Sequence, residues 1–430
     1  MTIQSVPRHL LHSLLLLLLI FMLSGCLSPI ALNRAVVVYD EAVTTAMSEQ
    51  LLINIARARH HQPLHFTRVS NIAATFDFRF SAGASPALTG DAGSALVPIF
   101  GGSMAENPTI SIVPIQGEEF TKRLLTPFHH SKLALLLRQH FDIDLMLRMM
   151  AQEVRLQPQK QQITHQRIHN KNESDHHTRH QRRRLQNHGT PTTYRNNPSD
   201  QVGYEMFRRV ALHLSAIQDQ NQLYAERLTF KRTWTIPADV ESTPDFQSLE
   251  KEFEVSHNLE NNTYTLSKYV QGPILITNYS PHTLCCEERE KLYEETKTWH
   301  ENDVAFDIRP DYPGGAWPMK GAFRLRSFHS IIHFLSHTLG EIPEYHVDKD
   351  KRTPPITRDE NPINTMELIV SDKSPENDLS VYSHGQYYAV NTMGPNAHWN
   401  KNTFQLLSIL FRMTITDPSS VGVPGITIAK

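Results

Sequence analysis

Apolar and polar residues recur with two different periods along the chain, and these periods predict both helices and strands. Over residues 35–60 the apolar side chains have helical spacing, so we predict a helix that ends before Pro63. The segment IAATFDFRF (72–80) alternates apolar and polar residues, as a half-buried strand does. PTISIVPI (108–115) follows a stretch rich in Gly, Ala and Ser, and we expect a hairpin with a long flexible tip.

The rest of the chain continues this mixture without a regular strand–helix alternation. Helical patterns cover residues 117–150, 203–225, 287–299, 325–340 and 404–413, and Ser131 is the expected N-cap of the second helix in the first of these stretches. Strand patterns cover residues 228–236, 263–278, 365–371 and 381–390, the last two joined by the turn Ser-Pro-Glu-Asn-Asp. We therefore predict an α+β fold, with helices packed on small mixed or antiparallel sheets.

A central stretch interrupts these patterns. Residues 165–188 read HQRIHNKNESDHHTRHQRRRLQNH, with almost no apolar side chain to offset the entropy of ordering. The histidines are His165, His169, His176, His177, His180 and His188. We expect residues 156–200 to form a disordered His/Arg-rich insertion whose removal between residues 160 and 195 leaves the fold intact. Loose metal adsorption and attraction to anionic headgroups are its alternative roles. The tract 165–188 has no aromatic residues for base stacking, and we expect no nucleic-acid partner.

The first residues predict where the protein is anchored. Arg8 precedes the apolar run LLHSLLLLLLIFML, which is short for a membrane-spanning helix, and Leu23-Ser24-Gly25-Cys26 matches the bacterial lipobox. We expect residues 1–25 to be a cleaved signal peptide and Cys26 to carry the lipid anchor. Leu27, rather than Asp, follows the cysteine, which favours the outer membrane with a periplasmic body.

Composition sets few further limits. The chain has 430 residues and a formal net charge of −2, which indicates neither a nucleic-acid surface nor an acidic tail. We expect an N-terminal α+β domain (26–155), a middle α+β domain (201–345) and a C-terminal hairpin–helix segment (346–430) packed on the middle domain. Cys285 and Cys286 are adjacent, a spacing that disfavours a stabilising disulfide.

Several blocks together resemble an uncharacterised group of Gram-negative envelope lipoproteins. They are SEQLLINIARARHHQPLHF (48–66), NPTISIVPIQGEEFTKRLLTPF (107–128), FRLRSFHSIIHFLSHTLGE (323–341) and the closing YYAVNTMG with TFQLLSILFRM. The resemblance covers about half of the chain after residue 26. It implies a shared lipoprotein architecture and no known activity, so it assigns no catalytic residue.

The sharpest candidate chemistry is a row of histidines. His329, His333 and His337 have i, i+4, i+8 spacing on a predicted helix, and two such histidines are able to share a metal ion. The alternative is that they are ordinary exposed residues on the flank opposite the apolar stripe. Nucleophile-elbow, zinc-protease, phosphate-loop and dinucleotide-binding motifs are absent from the sequence. An enzymatic activity is therefore unsupported, and no cofactor is expected.

These observations lead to one main hypothesis and two alternatives. The main hypothesis is an outer-membrane lipoprotein that acts as a non-enzymatic structural or interaction component of an envelope assembly, with a membrane anchor and a protein partner. The first alternative is a metal-binding envelope protein that uses the histidines. The second is a subunit of an oligomeric export channel, because about nine alternating residues suit a membrane-spanning strand. The oligomeric state is left open.

Overall fold

The computed structural model describes residues 27–86, 96–158, 190–237, 251–296, 299–337, 339–340, 342–355, 361–375 and 379–415. Its helices are α1 (Leu27–Arg59), α2 (Glu118–Leu125), α3 (His130–Leu137), α4 (Ile143–Met150), α5 (Gln201–Asp219), α6 (Cys286–Thr296), α7 (Phe328–His337) and α8 (Ala397–Thr414). Its strands are β1 (Phe66–Pro86), β2 (Leu96–Ile115), β3 (Ala151–Leu156), β4 (Thr192–Arg195), β5 (Tyr224–Pro237), β6 (Glu254–Asn258), β7 (Thr263–Thr277), β8 (Asp303–Ile308), β9 (Met319–Leu325), β10 (Leu368–Ser371), β11 (Ser380–Ser383) and β12 (Gln386–Val390). Cys26 and the tract 165–188 lie outside the described residues.

The fold is α+β, as the sequence predicts. Strands form a two-stranded, a three-stranded and a seven-stranded sheet, and helices do not alternate regularly with them. In the largest sheet every pair is antiparallel except β7 with β8, which run parallel. The chain divides into two compact units. Unit 1 holds residues 1–57, 62–117 and 371–388, and unit 2 holds residues 58–61, 118–370 and 389–430. The expected domain boundaries at residues 155, 200 and 345 stay predictions.

In unit 1, polar side chains connect the end of α1 to the start of β1. The side chain of Asn54 is buried, and it accepts a hydrogen bond from the backbone N–H of His65 and donates one to the carbonyl of the same residue, both at 2.8 Å. One turn earlier, Gln50 bonds the backbone N–H and the hydroxyl of Thr67. These bonds supply partners that a backbone leaving a helix otherwise loses. The helix is already formed at Leu27, the first described residue, eight residues before the start that apolar spacing predicts.

Strands β1 and β2 form a long antiparallel ribbon in unit 1. Backbone pairing runs without a break in register from Asn71↔Ser111 to Pro86↔Leu96. The expectation of a long flexible tip between residues 81 and 107 is wrong in extent, since strand backbone continues to Pro86 and resumes at Leu96. Small Gly, Ala and Ser residues are compatible with a paired strand whenever a partner strand satisfies their backbone groups. At about 3.3 Å per residue, the ribbon is roughly 65 Å long.

Unit 2 is built on the seven-stranded sheet, with strand order β4-β3-β9-β8-β7-β5 and β6 paired to β7. Sequence patterns missed five of these strands, namely β3, β4, β6, β8 and β9. Central strand β8 is buried at all six positions, so it lacks the alternation that marks a half-exposed strand. Strand β3 follows α4 without an intervening turn residue, which hides the change of structure from a pattern search.

Helices α4 and α5 pack against each other in unit 2 and bury most of their surface. All eight residues of α4 are buried, and Phe207 of α5 meets Phe323 of β9 edge to face with ring centres 5.9 Å apart. Each helix starts at an aspartate cap. Asp142 accepts from the backbone N–H of Asp144, and Asp200 accepts from that of Gly203. In α3, by contrast, the expected cap Ser131 is the donor, and its N–H bonds the ring of His129.

The expected insertion is shorter than the sequence pattern suggests. Strand β4 pairs with β3, placing Tyr194 opposite Val154. Asn196, the residue that follows β4, is buried. Residues 190–200 therefore belong to unit 2, and a deletion of residues 160–195 would remove an edge strand of its sheet. The four residues of β4 are too few to show a strand pattern beside a long polar tract, so composition did not predict this strand.

The C-terminal strands also differ from their expected arrangement. VYSHGQYYAV is a hairpin rather than one strand, because His384 (φ 53°) and Gly385 (φ 81°) form a tight turn between β11 and β12. Strand β12 lies between β11 and β10, so Ser-Pro-Glu-Asn-Asp connects β10 to a strand that is not its neighbour. Helix α8 packs in unit 2, where Phe411 lies 5.4 Å from Phe328 of α7, measured between ring centres.

Candidate functional site

The candidate site is a groove in unit 2 along one side of helix α7. The hydroxyl of Ser327 accepts a hydrogen bond from the N–H of Ser330 and so caps the start of this helix. The apolar stripe of α7 (Phe328, Ile331, Ile332 and Leu335) is buried in the core, as apolar spacing predicts. The opposite side borders a cavity of about 930 Å³. This volume lies within the range of small-ligand sites.

Positively charged and imidazole side chains dominate the titratable groups of the groove. Three arginines (Arg59, Arg195 and Arg326) and four histidines (His61, His329, His333 and His337) line it. The carboxylates in its wall are Glu153 and Glu344. Helical spacing predicted three of these histidines together, and Arg326 lies just before the same helix, but Arg59, His61 and Arg195 come from other parts of the chain. The groove is thus wider and more basic than the helix alone suggests.

Two of the predicted histidines form a contacting pair. The ring centres of His329 and His333 are 4.3 Å apart, at an angle of 43°. Both side chains are half-buried, whereas His337 is exposed, so only the last fits the expectation of an exposed flank. Burial lowers the pKa of His329. Burial, together with the charges of His329, His337 and His61, lowers the pKa of His333. The pair is therefore neutral at pH 7.

Arg326 forms the floor of the groove. Its side chain is only 5% exposed, and its guanidinium donates to the backbone carbonyls of Arg148, Met149 and Asn196 at 2.9–3.1 Å. The same group lies over the ring of Phe334 at 3.9 Å. Among the described residues no carboxylate lies within ion-pair distance of it. Burial lowers its pKa to about 9, so it keeps its charge at neutral pH.

A buried polar network lies behind this floor. Arg208 forms an ion pair with Asp144, and both side chains are at most 2% exposed. Arg148 donates to the backbone carbonyls of Pro362 and Ile363 at 2.7 and 2.8 Å. Buried charges of this kind require partners, since an uncompensated charge in a protein interior costs several kcal/mol. The network holds α4, α5 and the segment after residue 361 in a fixed arrangement.

Glu344 connects the groove to the same network. Its carboxylate accepts hydrogen bonds from the hydroxyl of Tyr204, at 3.1 Å, and from the hydroxyl and backbone N–H of Thr365, at 2.8 and 2.6 Å. Burial and the neighbouring carboxylate raise the pKa of Tyr204 above its usual value, so the phenol keeps its proton and acts as the donor. The carboxylate is consequently engaged in the wall of the groove.

The groove offers few ligands for a metal ion. Zinc sites use three or four protein ligands, and His329 with His333 provides two. The described part of the chain contains no group of three or more His, Cys, Asp or Glu residues arranged to hold a metal ion. Arg326 and Arg195 in the same groove also oppose a cation. The arrangement is better suited to accept negative charge.

The remaining sequence candidates lie elsewhere. Cys285 and Cys286 are both exposed and free, and the thiol of Cys285 lies 3.7 Å from the carboxylate of Glu288. Cys26 and the six histidines of the 165–188 tract fall outside the described residues, so the lipid anchor stays a prediction. The roles of Arg326, Glu344 and Asn196 were not predicted, since polar residues in otherwise ordinary segments carry no sequence signal of burial.

Comparisons with known proteins found no match: no family model, no curated protein and no solved structure is similar to this chain. The likeness to envelope lipoproteins that the sequence blocks carry therefore stays a prediction. Across the described residues, no helix has both the length and the apolar character needed to cross a membrane.

Proposed function

We propose that this chain is a lipid-anchored lipoprotein of the outer membrane, with a periplasmic body, that acts as a non-enzymatic interaction component of an envelope assembly. Unit 1 is the part that contacts the partner protein. The proposal rests on the sequence signal around Cys26 and, above all, on the ribbon formed by β1 and β2.

The position of the predicted anchor supports the proposal. Helix α1 is already formed at Leu27, the first described residue, which follows Cys26 in the sequence, and it extends over 33 residues to Arg59. At 1.5 Å per residue this helix is roughly 50 Å long. A lipid on Cys26 would fix the start of α1 at the membrane surface with no linker between them. The far end of α1, at Arg59, would then lie within about one helix length of the bilayer.

The observation that carries the proposal is the exposed apolar surface of the ribbon. Ile110 and Ile112 of β2 are 48% and 63% exposed, and they lie on one face because alternate strand residues share a face. Within the described residues, β1 and β2 pair only with each other. A two-stranded ribbon is marginal in water unless its apolar face is covered. A partner protein on this face would provide that cover.

Helix α1 adds a second apolar surface in the same unit. Val36, Val37 and Val38 are 52–60% exposed. Three consecutive exposed valines are unusual on a helix surrounded by water, because β-branched side chains have lower helix propensity and gain nothing from exposure. Their presence is consistent with a surface that another protein covers.

Site-specific photocrosslinking in native membranes tests the proposal. A photoreactive phenylalanine replaces Ile112 on the ribbon or, as a matched control, Tyr269, which is 65% exposed in unit 2. We expect a discrete crosslinked protein band with Ile112 and none with Tyr269. Equal crosslinking at both positions, or none at Ile112, contradicts the proposal.

Labelled-palmitate incorporation tests the anchor separately. We expect Cys26→Ser to lose this incorporation, and unchanged incorporation refutes the anchor.

The second candidate, a subunit of an oligomeric export channel, makes a second copy of this chain the partner. The edge of the ribbon favours it specifically. Strand β1 contains no proline from residue 66 to residue 85, so beyond the bulge between Val69 and Asn71 no missing donor interrupts its edge. Strand β2, in contrast, contains Pro98, Pro108 and Pro114. Crosslinks between copies at residue 112, with an oligomer on size exclusion in detergent, would favour this candidate. A monomer throughout counts against it.

A further inference from the structure

We propose that the groove along α7 binds a tetrahedral oxyanion, a phosphate or sulfate group, with an affinity that rises as the pH falls. This inference does not rest on the proposed function. It needs neither the lipid anchor nor a protein partner, and it concerns unit 2 alone.

The charge of the groove is the first step. Arg326 holds a positive charge at the floor without an ion pair among the described residues. Arg195 lies at the rim, where its side chain is exposed. The opposing carboxylates are occupied. Glu344 accepts three hydrogen bonds from Tyr204 and Thr365, and Glu153 lies 3.7 Å from Arg324 and 3.8 Å from Arg155. The open part of the groove is therefore positive.

The donors in the groove define the class of anion. The guanidinium of Arg326 already donates three hydrogen bonds to backbone carbonyls, so it acts as a fixed charge rather than as a two-pronged partner for a carboxylate. The remaining donors are single and come from several directions: the imidazoles of His329, His333 and His61, and the hydroxyl of Ser330. Separate donors around a central charge suit an anion with several acceptor oxygens, such as phosphate or sulfate.

The histidines make this binding depend on pH. The rings of His329 and His333 contact one another, and the charges of His337 on the same helix and of His61, two residues after α1, also act on His333. Protonating either ring without an anion brings like charges together beside Arg59, Arg195 and Arg326 in a half-buried groove. A bound dianion removes that penalty. Binding and protonation of the pair consequently support each other, as thermodynamic linkage requires.

The ligand group has two sources that share this chemistry, a small soluble ester and a lipid headgroup. The cavity of about 930 Å³ is large enough for either. The same groove would bind both, and competition between them tells the sources apart.

Calorimetric titration of the full-length protein in detergent with inorganic sulfate tests the site. Sulfate keeps its charge between pH 6 and pH 8, so any change with pH belongs to the protein. We expect one sulfate per chain and binding about tenfold tighter at pH 6 than at pH 8, at constant ionic strength. Absence of saturable binding at pH 6 overturns the proposal.

Variants assign the binding to the groove. The double variant His329→Gln/His333→Gln should lose the pH dependence, and Arg195→Gln should weaken binding about twofold to fivefold at both pH values. The controls His398→Gln and Arg412→Gln, on exposed positions of α8, should bind as the parent does. A retained pH dependence in the histidine variant, with native circular dichroism, overturns the proposal. Phosphatidylglycerol micelles that displace sulfate identify a headgroup source, and micelles that fail to do so identify a soluble one.

Discussion

The ribbon of unit 1 and the sheet of unit 2 are both largely antiparallel, but they differ in how far the backbone edges and apolar side chains of their strands are covered. In unit 2, β8 lies between β7 and β9 and is buried at every position. In unit 1, β1 and β2 each have one partner among the described residues, and Ile110 and Ile112 stay exposed. Unit 2 thus contains its own hydrophobic core, whereas the ribbon leaves backbone edges and apolar surface for another molecule to cover.

The difference has an energetic consequence. Substitutions in unit 2 should change the free energy of unfolding, because its buried groups depend on partners within the same unit. Substitutions on the outer edge of the ribbon should change association and leave that free energy nearly constant.

The largest effect is expected from breaking the buried ion pair of unit 2. Arg208→Met leaves the carboxylate of Asp144 buried without its cation, and we expect a loss of about 3–5 kcal/mol in the free energy of unfolding. Arg209→Met is the matched control, because Arg209 pairs with Glu205 on the surface of the same helix. It should cost less than about 1 kcal/mol. Urea denaturation followed by circular dichroism measures both, and equal losses would contradict the prediction.

A pH-dependent effect of intermediate size is expected at His213. Its buried ring lies 2.9 Å from the carbonyl of Gly314 and 3.1 Å from the hydroxyl of Thr353, and burial lowers its pKa from 6.5 to about 4. Because the fold favours the neutral ring, its contribution is complete above pH 6.5 and falls as the pH drops toward 4. The loss at pH 4.5 should be roughly 2–3 kcal/mol.

The contribution of His213 to the free energy of unfolding is measured with the variant His213→Gln and the control His398→Gln. Asp142 acts in the opposite direction: burial and Asp144 raise its pKa from 3.8 to about 6, so its charged form destabilises the fold as the pH rises through that window. The stability difference between the parent and His213→Gln, measured at pH 7 and pH 4.5, removes this background. The difference should shrink at pH 4.5. His398→Gln should show no such change, and a His213 variant that also shows none would disprove the assignment.

A smaller loss is expected at Asn196, which follows β4. Its side-chain amide donates to the carbonyls of Arg148 and Ala151, both at 2.9 Å. Asn196→Ala leaves these buried carbonyls short of a donor and should cost about 1–3 kcal/mol. Asn197→Ala removes only an exposed bond to Ser199 and serves as the control. If both variants were as stable as the parent, residues 190–200 would be the dispensable insertion that the sequence suggests.

Sequence patterns predict the elements in which apolar residues recur with a fixed period along the chain. Helix α7 followed directly from its apolar stripe, and β1 from the alternation after Ile72. Strand β8 is buried on both faces and shows no period, and β4 is too short to carry one. These parts depend on neighbours far away in the chain, which local spacing does not encode.

In the candidate site, too, local spacing predicts some residues, whereas others depend on contacts between distant parts of the chain. Spacing alone brought His329 and His333 together, because both lie on one helix. The floor of the groove required Arg326 to meet carbonyls of residues 148 and 196, at sequence separations of 178 and 130 residues. Polar residues are exposed in most proteins, so a sequence gives no reason to expect a buried arginine at this position.

The smallest effect on stability, and the sharpest test of the contrast, is expected at the outer edge of β1. Ala74 pairs with Pro108, and a proline in a sheet occupies a position whose backbone nitrogen points away from the partner strand. In an antiparallel pair, the backbone nitrogens of two residues that lie opposite each other point the same way relative to the pair, here away from the partner strand. Ala74→Pro therefore removes an N–H donor from the free edge of β1 and leaves the hydrogen bonds between β1 and β2 in place. Ala73→Pro, one residue earlier, removes a donor that faces β2.

We expect Ala74→Pro to reduce partner crosslinking at residue 112 while changing the free energy of unfolding by less than about 0.5 kcal/mol. Ala73→Pro should disrupt the ribbon and expose it to protease. If Ala74→Pro crosslinks as well as the parent, the edge of β1 is not the contact, and the apolar face with Ile110 and Ile112 has to bind the partner without it.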